Sequence, residues 1–295
     1  MINQSFVKVS EYLKEHGIKN YDFMLRQIHE GVDDIDVFNP DISDEEKKIV
    51  MDEIQNNVWY FLRRIVRIPL CRVESEFIAH ILNVSMIYCS HNGSNVYVQS
   101  PRMTYTSGST VSYILWLILT GRMNVWQVDS HRNSPYTRAV QISGRLPEWI
   151  ADKFGRIPIK KSVYSIENES EFIEVSGQSG LKHKKVPYED LLVIDDFEHS
   201  GCINLLTKER HEPYLVTGTV APLDIKGAKQ SREFRNNLPL FDISMFDSEK
   251  LPRSIKIKFD YSEIEKCGRI ASRSHQKQII QDEAVYNREV ELIDD

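Results

Sequence analysis

The chain is 295 residues long, 41% hydrophobic and 27% charged, with a formal net charge of −6 at pH 7. That length allows one large domain or two small ones, with a core that needs neither a metal nor a disulfide to hold it. The acidic balance excludes a protein that coats nucleic acid through its overall charge, because phosphate contacts dominate such binding.

Contact with DNA would therefore rest on local basic patches. The candidates are Arg63, Arg64, Arg67 and Arg72; Lys182, Lys184 and Lys185; and Lys226, Lys229, Arg232 and Arg235. Each patch taken alone reads first as a solvated face. The four cysteines, Cys71, Cys89, Cys202 and Cys267, form no CxxC pair, which fits free thiols in a reducing compartment better than a zinc site. No basic segment followed by an apolar stretch opens the sequence. The longest apolar run, residues 114–119, is far shorter than the ~20 residues needed to cross a bilayer. The expectation is a cytosolic protein with no membrane partner.

Residues 1–55 read as a small acidic helical lid or subdomain. Phe6, Val9 and Tyr12-Leu13 recur at helical spacing, as do Tyr21, Met24-Leu25 and Ile28. Asn39-Pro40 lies in a polar loop, and Ser43 followed by Glu46 forms a capping box that starts a helix carrying Ile49, Val50, Ile54, Val58 and Leu62. An aromatic and basic segment closes at Pro69, a helix is expected over 77–88, and Asn92-Gly93 marks a turn.

Strand and helix signals then alternate. Strands are expected at 96–99 and 125–128, with helices at 109–119 and from about 136 to 146, the latter closed by Pro147. Residues 163–166 and 172–175 read as a hairpin pair. Strands at 191–194 and 214–217, a helix at 228–237, a strand at 255–259 and a helix from 272 onward complete the pattern. Such alternation predicts an α/β fold with a mostly parallel sheet covered by helices on both faces.

Three signals bear on chemistry. The first is Val96-Tyr97-Val98-Gln99-Ser100-Pro101-Arg102-Met103-Thr104-Tyr105-Thr106-Ser107, followed by an apolar helix. It has the layout of a strand, a phosphate loop and a helix, yet it contains no Gly-Lys-Ser/Thr, and no lysine occurs between Pro101 and Thr120. The second is Leu191-Leu192-Val193-Ile194-Asp195-Asp196-Phe197-Glu198, a buried-strand pattern that ends in carboxylates where open α/β sheets bind ligands. The third is Tyr214-Leu215-Val216-Thr217-Gly218-Thr219, a strand ending in hydroxyls.

In that order and spacing, these segments resemble the large terminase subunits of tailed bacteriophages and their viral relatives, which drive DNA packaging. The resemblance covers nearly the whole chain. It begins at Asn57-Val58-Trp59-Tyr60-Phe61-Leu62-Arg63-Arg64-Ile65-Val66-Arg67-Ile68-Pro69, similar to the family's Asn-Pro-Trp-Tyr-Phe and Arg-Ile-Pro segment. It continues through Gln99-Ser100-Pro101-Arg102, Trp116, Leu146-Pro147, the strand before Asp195, the linker at 240–247 and Arg288-Glu289-Val290.

The resemblance implies a P-loop NTPase-like core of the terminase ATPase type over residues 56–295, with the family's second, nuclease domain expected to be absent. It implies ATP and Mg²⁺ as cofactors if the site functions. Pro101, Arg102, Thr104, Tyr105, Thr106, Ser107, Thr217 and Thr219 would then face nucleotide, Ser107 and Asp195 would hold Mg²⁺, and Arg102, Asp196 and Glu198 would serve catalysis. Implied partners are double-stranded DNA and other terminase or portal-type subunits, with a homo-oligomer as a further expectation, in the host cytoplasm.

The sequence departs from the family at the residues that hydrolysis depends on. An ungapped alignment puts Tyr105, Thr106 and Ser107 at the family's Gly, Lys and Thr; a shifted one puts Gly108-Ser109-Thr110 there, also without lysine. The acidic pair is Asp-Asp rather than Asp-Glu, and Thr217-Gly218-Thr219 replaces Thr-Thr-Pro. The expectation is a degenerate, pseudo-ATPase version that acts as a scaffold or interaction subunit. The alternative is an active packaging motor with an unconventional phosphate loop.

Overall fold

The apolar runs that read as strands meet in one sheet. The computed structural model describes residues 32–67, 95–100, 106–121, 123–128, 134–175, 190–207, 213–221, 225–240, 253–258, 273–290 and 292. Within these, the expected capping box forms. Ser43 Oγ accepts from the Glu46 backbone N–H while Glu46 reaches back to Ser43 N, and this starts α1 (Asp44–Asn56). A short helical turn (Val58–Tyr60) then passes into a π-helical segment (Phe61–Ile65).

The core follows as β1 (Asn95–Gln99), α2 (Thr106–Leu119), β2 (Val125–Val128), α3 (Pro135–Ser143), α4 (Glu148–Ala151), β3 (Phe154–Ile157), β4 (Ser162–Ser165) and β5 (Glu171–Val175). Next come β6 (Leu191–Ile194), α5 (Phe197–Ser200), α6 (Ile203–Thr207), β7 (Tyr214–Gly218), α7 (Ala228–Asn236) and β8 (Ser254–Lys258). Two short helices, α8 (Arg273–Ile279) and α9 (Glu283–Glu289), close the described part.

The eight strands lie in the order β3-β4-β5-β2-β6-β7-β1-β8. The six from β5 to β8 run parallel, and β3-β4-β5 pair antiparallel at one end. Alternate residues of each central strand enter different cores. Val96, Val98, Leu191, Val193 and Leu215 face one side, with α1, α2 and α3. Tyr97, Leu192, Ile194, Tyr214 and Val216 face the other, with α5, α6 and Phe234 of α7. Helices therefore cover both faces. This explains why the central strands are continuous apolar runs rather than alternating ones.

The helix α2 is apolar almost all round and is buried from Ser109 to Leu119, as such a helix must be. Each fully buried Leu or Ile in it contributes about 1.5–3 kcal/mol through area removed from water. Trp116 Nε1 donates to the Ile54 carbonyl at 2.6 Å and ties α2 to α1. Residues 32–65 share one apolar cluster with the sheet, so among the described residues the expected boundary at 55 does not separate two cores.

Several sequence expectations shift. The helix at 228–237 and the hairpin pairing of 163–166 with 172–175 form as expected, but β3 adds a third antiparallel strand that the pattern did not signal. The helix expected to reach 146 ends at Ser143, where the Gly144 N–H caps back to the Val140 carbonyl. The helix expected from 272 to the end breaks in two, because the Asp282 side chain accepts from Val285 N and starts a new helix. The expected helix at 77–88 and the turn at 92–93 lie outside the described residues. Among the described residues no helix is long and apolar enough to cross a membrane.

Candidate nucleotide site

The ends of β6, β7 and β1 stand side by side at the carboxyl edge of the sheet. Register sets this. Ile194 pairs with Val216, Val98 with Thr217 and Gln99 with Gly218, so Asp195 follows β6 level with Thr217, and Ser100 leaves β1 two residues beyond that level. Ser100 N donates to the Gly218 carbonyl at 3.1 Å and binds two of these ends together. The three sequence signals, far apart in the chain, thus occupy adjacent positions at the edge where open α/β sheets bind ligands.

The loop at 101–105, with Pro101, Arg102, Thr104 and Tyr105, lies outside the described residues, but both of its ends are defined. Ser100 Oγ and Thr106 Oγ1 are 2.8 Å apart and share a hydrogen bond across the base of the loop. Thr106 is the first residue of α2, and its carbonyl accepts from Thr110 Oγ1 at 2.9 Å.

Ser107 lies in that first turn and lines a small cleft with Val111, Gln127, Val128, Pro135, Arg138 and Asp195. The space within it is about 10 Å³, roughly one water molecule. Ser107 and Asp195, the two residues expected to hold a metal, are therefore walls of one cleft. In the shifted alignment, Ser109 and Thr110 are buried in the helix, and the Thr110 hydroxyl is engaged by the backbone.

Asp195 is fixed through one oxygen. Its Oδ1 accepts from Thr217 Oγ1 at 2.5 Å and from Asp196 N at 3.1 Å. Its Oδ2 makes no hydrogen bond among the described residues. Asp196 has φ 53° and ψ 45°, left-handed geometry that Asp tolerates better than most side chains. Its carbonyl accepts from both His199 N and Ser200 N at 2.9 Å, which turns the chain into α5. Gly218 makes this turn possible at close quarters, since a Cβ there would lie 3.2 Å from Phe197 N and 3.6 Å from Asp196 Cα. Thr219 follows the strand and is buried.

Glu198 does not join the cleft. It is fully buried, pairs with Arg235 Nη1 at 2.6 Å through Oε1, and accepts from Ala221 N at 2.9 Å through Oε2. Tyr97 Oη stands 3.5 Å from Oε1. Both oxygens are engaged in holding α5 to α7 and to the loop after β7, away from the cleft that Asp195 lines. Arg232 is buried as well, and its Nη2 donates to the Ala221 carbonyl at 2.8 Å. Arg232 and Arg235 thus leave the proposed basic patch, where Lys226 and Lys229 stay exposed.

The patch in the aromatic segment is also changed. Arg64 and Arg67 line an open cleft of about 580 Å³ together with Asp34 and Asp36, which offset their charge, and the Arg67 guanidinium stacks 3.8 Å over Phe38. Arg72, Lys182, Lys184 and Lys185 lie outside the described residues.

Two cleft residues had no sequence signal. Gln127 sits in the middle of β2, and its Oε1 is buried with no hydrogen-bond partner among the described residues. Arg138 belongs to α3, and its guanidinium makes no hydrogen bond or ion pair among the described residues.

No family model matches the sequence, and no curated protein matches it. Among solved structures, the chain is similar to the large terminase of bacteriophage HK97, with a TM-score of 0.48 and 14% identity over 78% of this chain and 48% of that one. It is also similar to the large terminase of a thermophilic bacteriophage in complex with ADP, with a TM-score of 0.47 and 8% identity over 71% of this chain and 52% of that one. The chain spans about half the length of these two terminases.

Proposed function

We propose that this chain is a terminase-like protein of phage DNA packaging in a degenerate form, keeping the nucleotide-site scaffold while acting mainly as a scaffold or interaction subunit. One observation carries the reading. Ser107 and Asp195 wall a single cleft, and Thr217 is hydrogen-bonded to Asp195, at the carboxyl edge of three neighbouring parallel strands. This juxtaposition supports the order of motifs read from the sequence, and it favours the ungapped alignment.

The residues present fit a magnesium nucleotide. A hydroxyl and a carboxylate oxygen are the hard donors that Mg²⁺ takes alongside waters and phosphates. Among the described residues no cluster of three acidic or metal-binding side chains forms, so phosphate would have to complete the set. Mg²⁺, when bound, would neutralise phosphate charge. Ser107 and Asp195 Oδ2 would hold it, Arg102 would take a phosphate oxygen, Asp196 would orient a water, and Thr217 would link the nucleotide to β7. Thr219, at the end of the same strand, would be the second coupling residue.

Magnitudes favour the degenerate form. A charged donor aimed at developing phosphate charge is worth roughly 3–4 kcal/mol, or ~10²–10³ in rate. An acid one methylene shorter at 196 retracts the carboxylate by about 1 Å, a misplacement that costs up to ~10²-fold. With Glu198 engaged elsewhere, no second acid of the 195–198 segment compensates.

The alternative, an active motor that translocates double-stranded DNA, predicts turnover. Partners under either reading are DNA and packaging subunits, including further copies of the chain, in the host cytoplasm. Titration calorimetry with Mg-ATP, with hydrolysis followed with and without double-stranded DNA, separates the two. Weak binding without turnover is the expected result. DNA-stimulated turnover establishes the motor.

A further inference from the structure

We propose that Arg138, backed by Gln127, supplies a positive charge in place of the lysine that the phosphate loop lacks, forming a subsite for an anionic phosphate oxygen on the β2-α3 side of the cleft. The inference rests on the nucleotide reading of the cleft and extends it to residues that no motif marks.

The cleft holds a carboxylate, Asp195, and a hydroxyl, Ser107, and its described cation is Arg138. With no lysine between Pro101 and Thr120, a polyphosphate entering the cleft would meet that guanidinium. Arg138 is half-buried and has no hydrogen bond or ion pair among the described residues, so its fork of donors is available. Partial desolvation without a partner is costly for a cation, and an anionic ligand relieves it.

Its placement is also fixed. Ser134 caps α3 by accepting from Thr137 N at 3.1 Å, and Pro135 occupies the first turn. Glu174 of β5 accepts from Tyr136 N at 2.8 Å and from Ser134 Oγ, so the start of α3 is pinned to the sheet. Arg138 lies one turn further on, held against the cleft rather than carried on a free surface helix.

Gln127 gives the second, independent observation. Its side chain is 1% exposed, and its Oε1 is buried without a partner. A buried acceptor left unmade costs about 1–3 kcal/mol, so native proteins rarely keep one without a ligand or ordered water. Here the acceptor belongs to a residue of the same cleft wall, whose free space matches one water. A single water in that space would satisfy it.

The test uses the full chain with Mg-ATP, Mg-ADP and Mg-triphosphate as probes, by titration calorimetry. Arg138→Ala should weaken Mg-ATP and Mg-triphosphate by roughly 10- to 100-fold, the range of a charged hydrogen-bonded contact, while moving Mg-ADP less. Arg138→Lys should recover part of the loss. Lys48→Ala, on the exposed face of α1, should leave all three unchanged. Thermal unfolding of each variant separates lost binding from lost fold. If the unaltered chain binds ATP and Arg138→Ala binds it equally well, the Arg138 inference falls and the nucleotide reading stands. If the unaltered chain binds none of the probes at millimolar concentration, both fall.

Discussion

Asp195 and Glu198 are three residues apart and face opposite environments. Asp195 leaves the end of β6 into a cleft, is held through Oδ1 by the Thr217 hydroxyl and the Asp196 N–H, and has no hydrogen bond to Oδ2 among the described residues. Glu198, one turn later, points into the core, where Arg235, Ala221 N and Tyr97 surround it. The left-handed turn at Asp196 separates the two directions. A run of carboxylates in a sequence is therefore not one functional unit. The backbone turn between them decides which acid faces the cleft and which one braces the fold.

The sharpest way to break this comparison is to remove each acid in turn. Glu198→Ala leaves Arg235 buried without its counter-ion and should cost about 3–5 kcal/mol. Asp195→Ala loses the contacts from the Thr217 hydroxyl and the Asp196 N–H in a cleft that admits water and should cost less, about 1.5–3 kcal/mol. Denaturant unfolding of both variants checks the contrast, and equal losses would erase it.

Gly218→Ala acts on the turn between the two acids. The added methyl would press on Phe197 N at 3.2 Å and on the Asp196 backbone behind it. The expected loss is about 1–3 kcal/mol. Amide hydrogen exchange should quicken at residues 196–200 and change less in β5 if the strain stays local.

The smallest effect concerns a thiol on the Glu198 side of the sheet. Burial pushes Cys202 above its ordinary value of 9.0, with the Ser200 contact opposing. The folded chain thus keeps this proton at pH values where the unfolded chain releases it. The contribution to stability is whole below pH 9 and declines as pH rises through and beyond that value. Cys202→Ser should flatten this decline, and unfolding curves between about pH 8 and 10 would show it.

Much of the fold was legible because its central strands are apolar runs with clear ends. β1, β2, β6 and β7 were visible as such, and so was α2, whose apolar character covers the whole helix. β3 was not, because Phe154–Ile157 includes a glycine and two polar or half-exposed positions at the sheet edge. Its glycine makes sense only once Tyr164 is placed, since that ring lies where a Cβ of Gly155 would go. The short helices α5 and α6 are local consequences of the Asp196 turn and of core packing, and both are too brief for a periodic signal.

The site divides in the same manner. Ser107, Asp195 and Thr217 stood out in the sequence because each flanks an apolar run, and the structure brings Ser107 and Asp195 to one cleft with Thr217 bonded to Asp195. Gln127 and Arg138 were not, because they reach the cleft from the middle of a strand and the second turn of a helix. The engagement of Glu198 was hidden because its partner lies on α7, across a connection that no local pattern describes.

The hydroxyl pair at the base of the loop bears on how such a site changes over time. Ser100 and Thr106 join the loop's two ends directly. Placing a lysine at 106 removes one of these hydroxyls, and a glycine at 105 adds backbone freedom beside it. A substitution at 106 that adds a charge therefore also unties the end of β1 from the start of α2, so this position cannot change its charge without changing the junction.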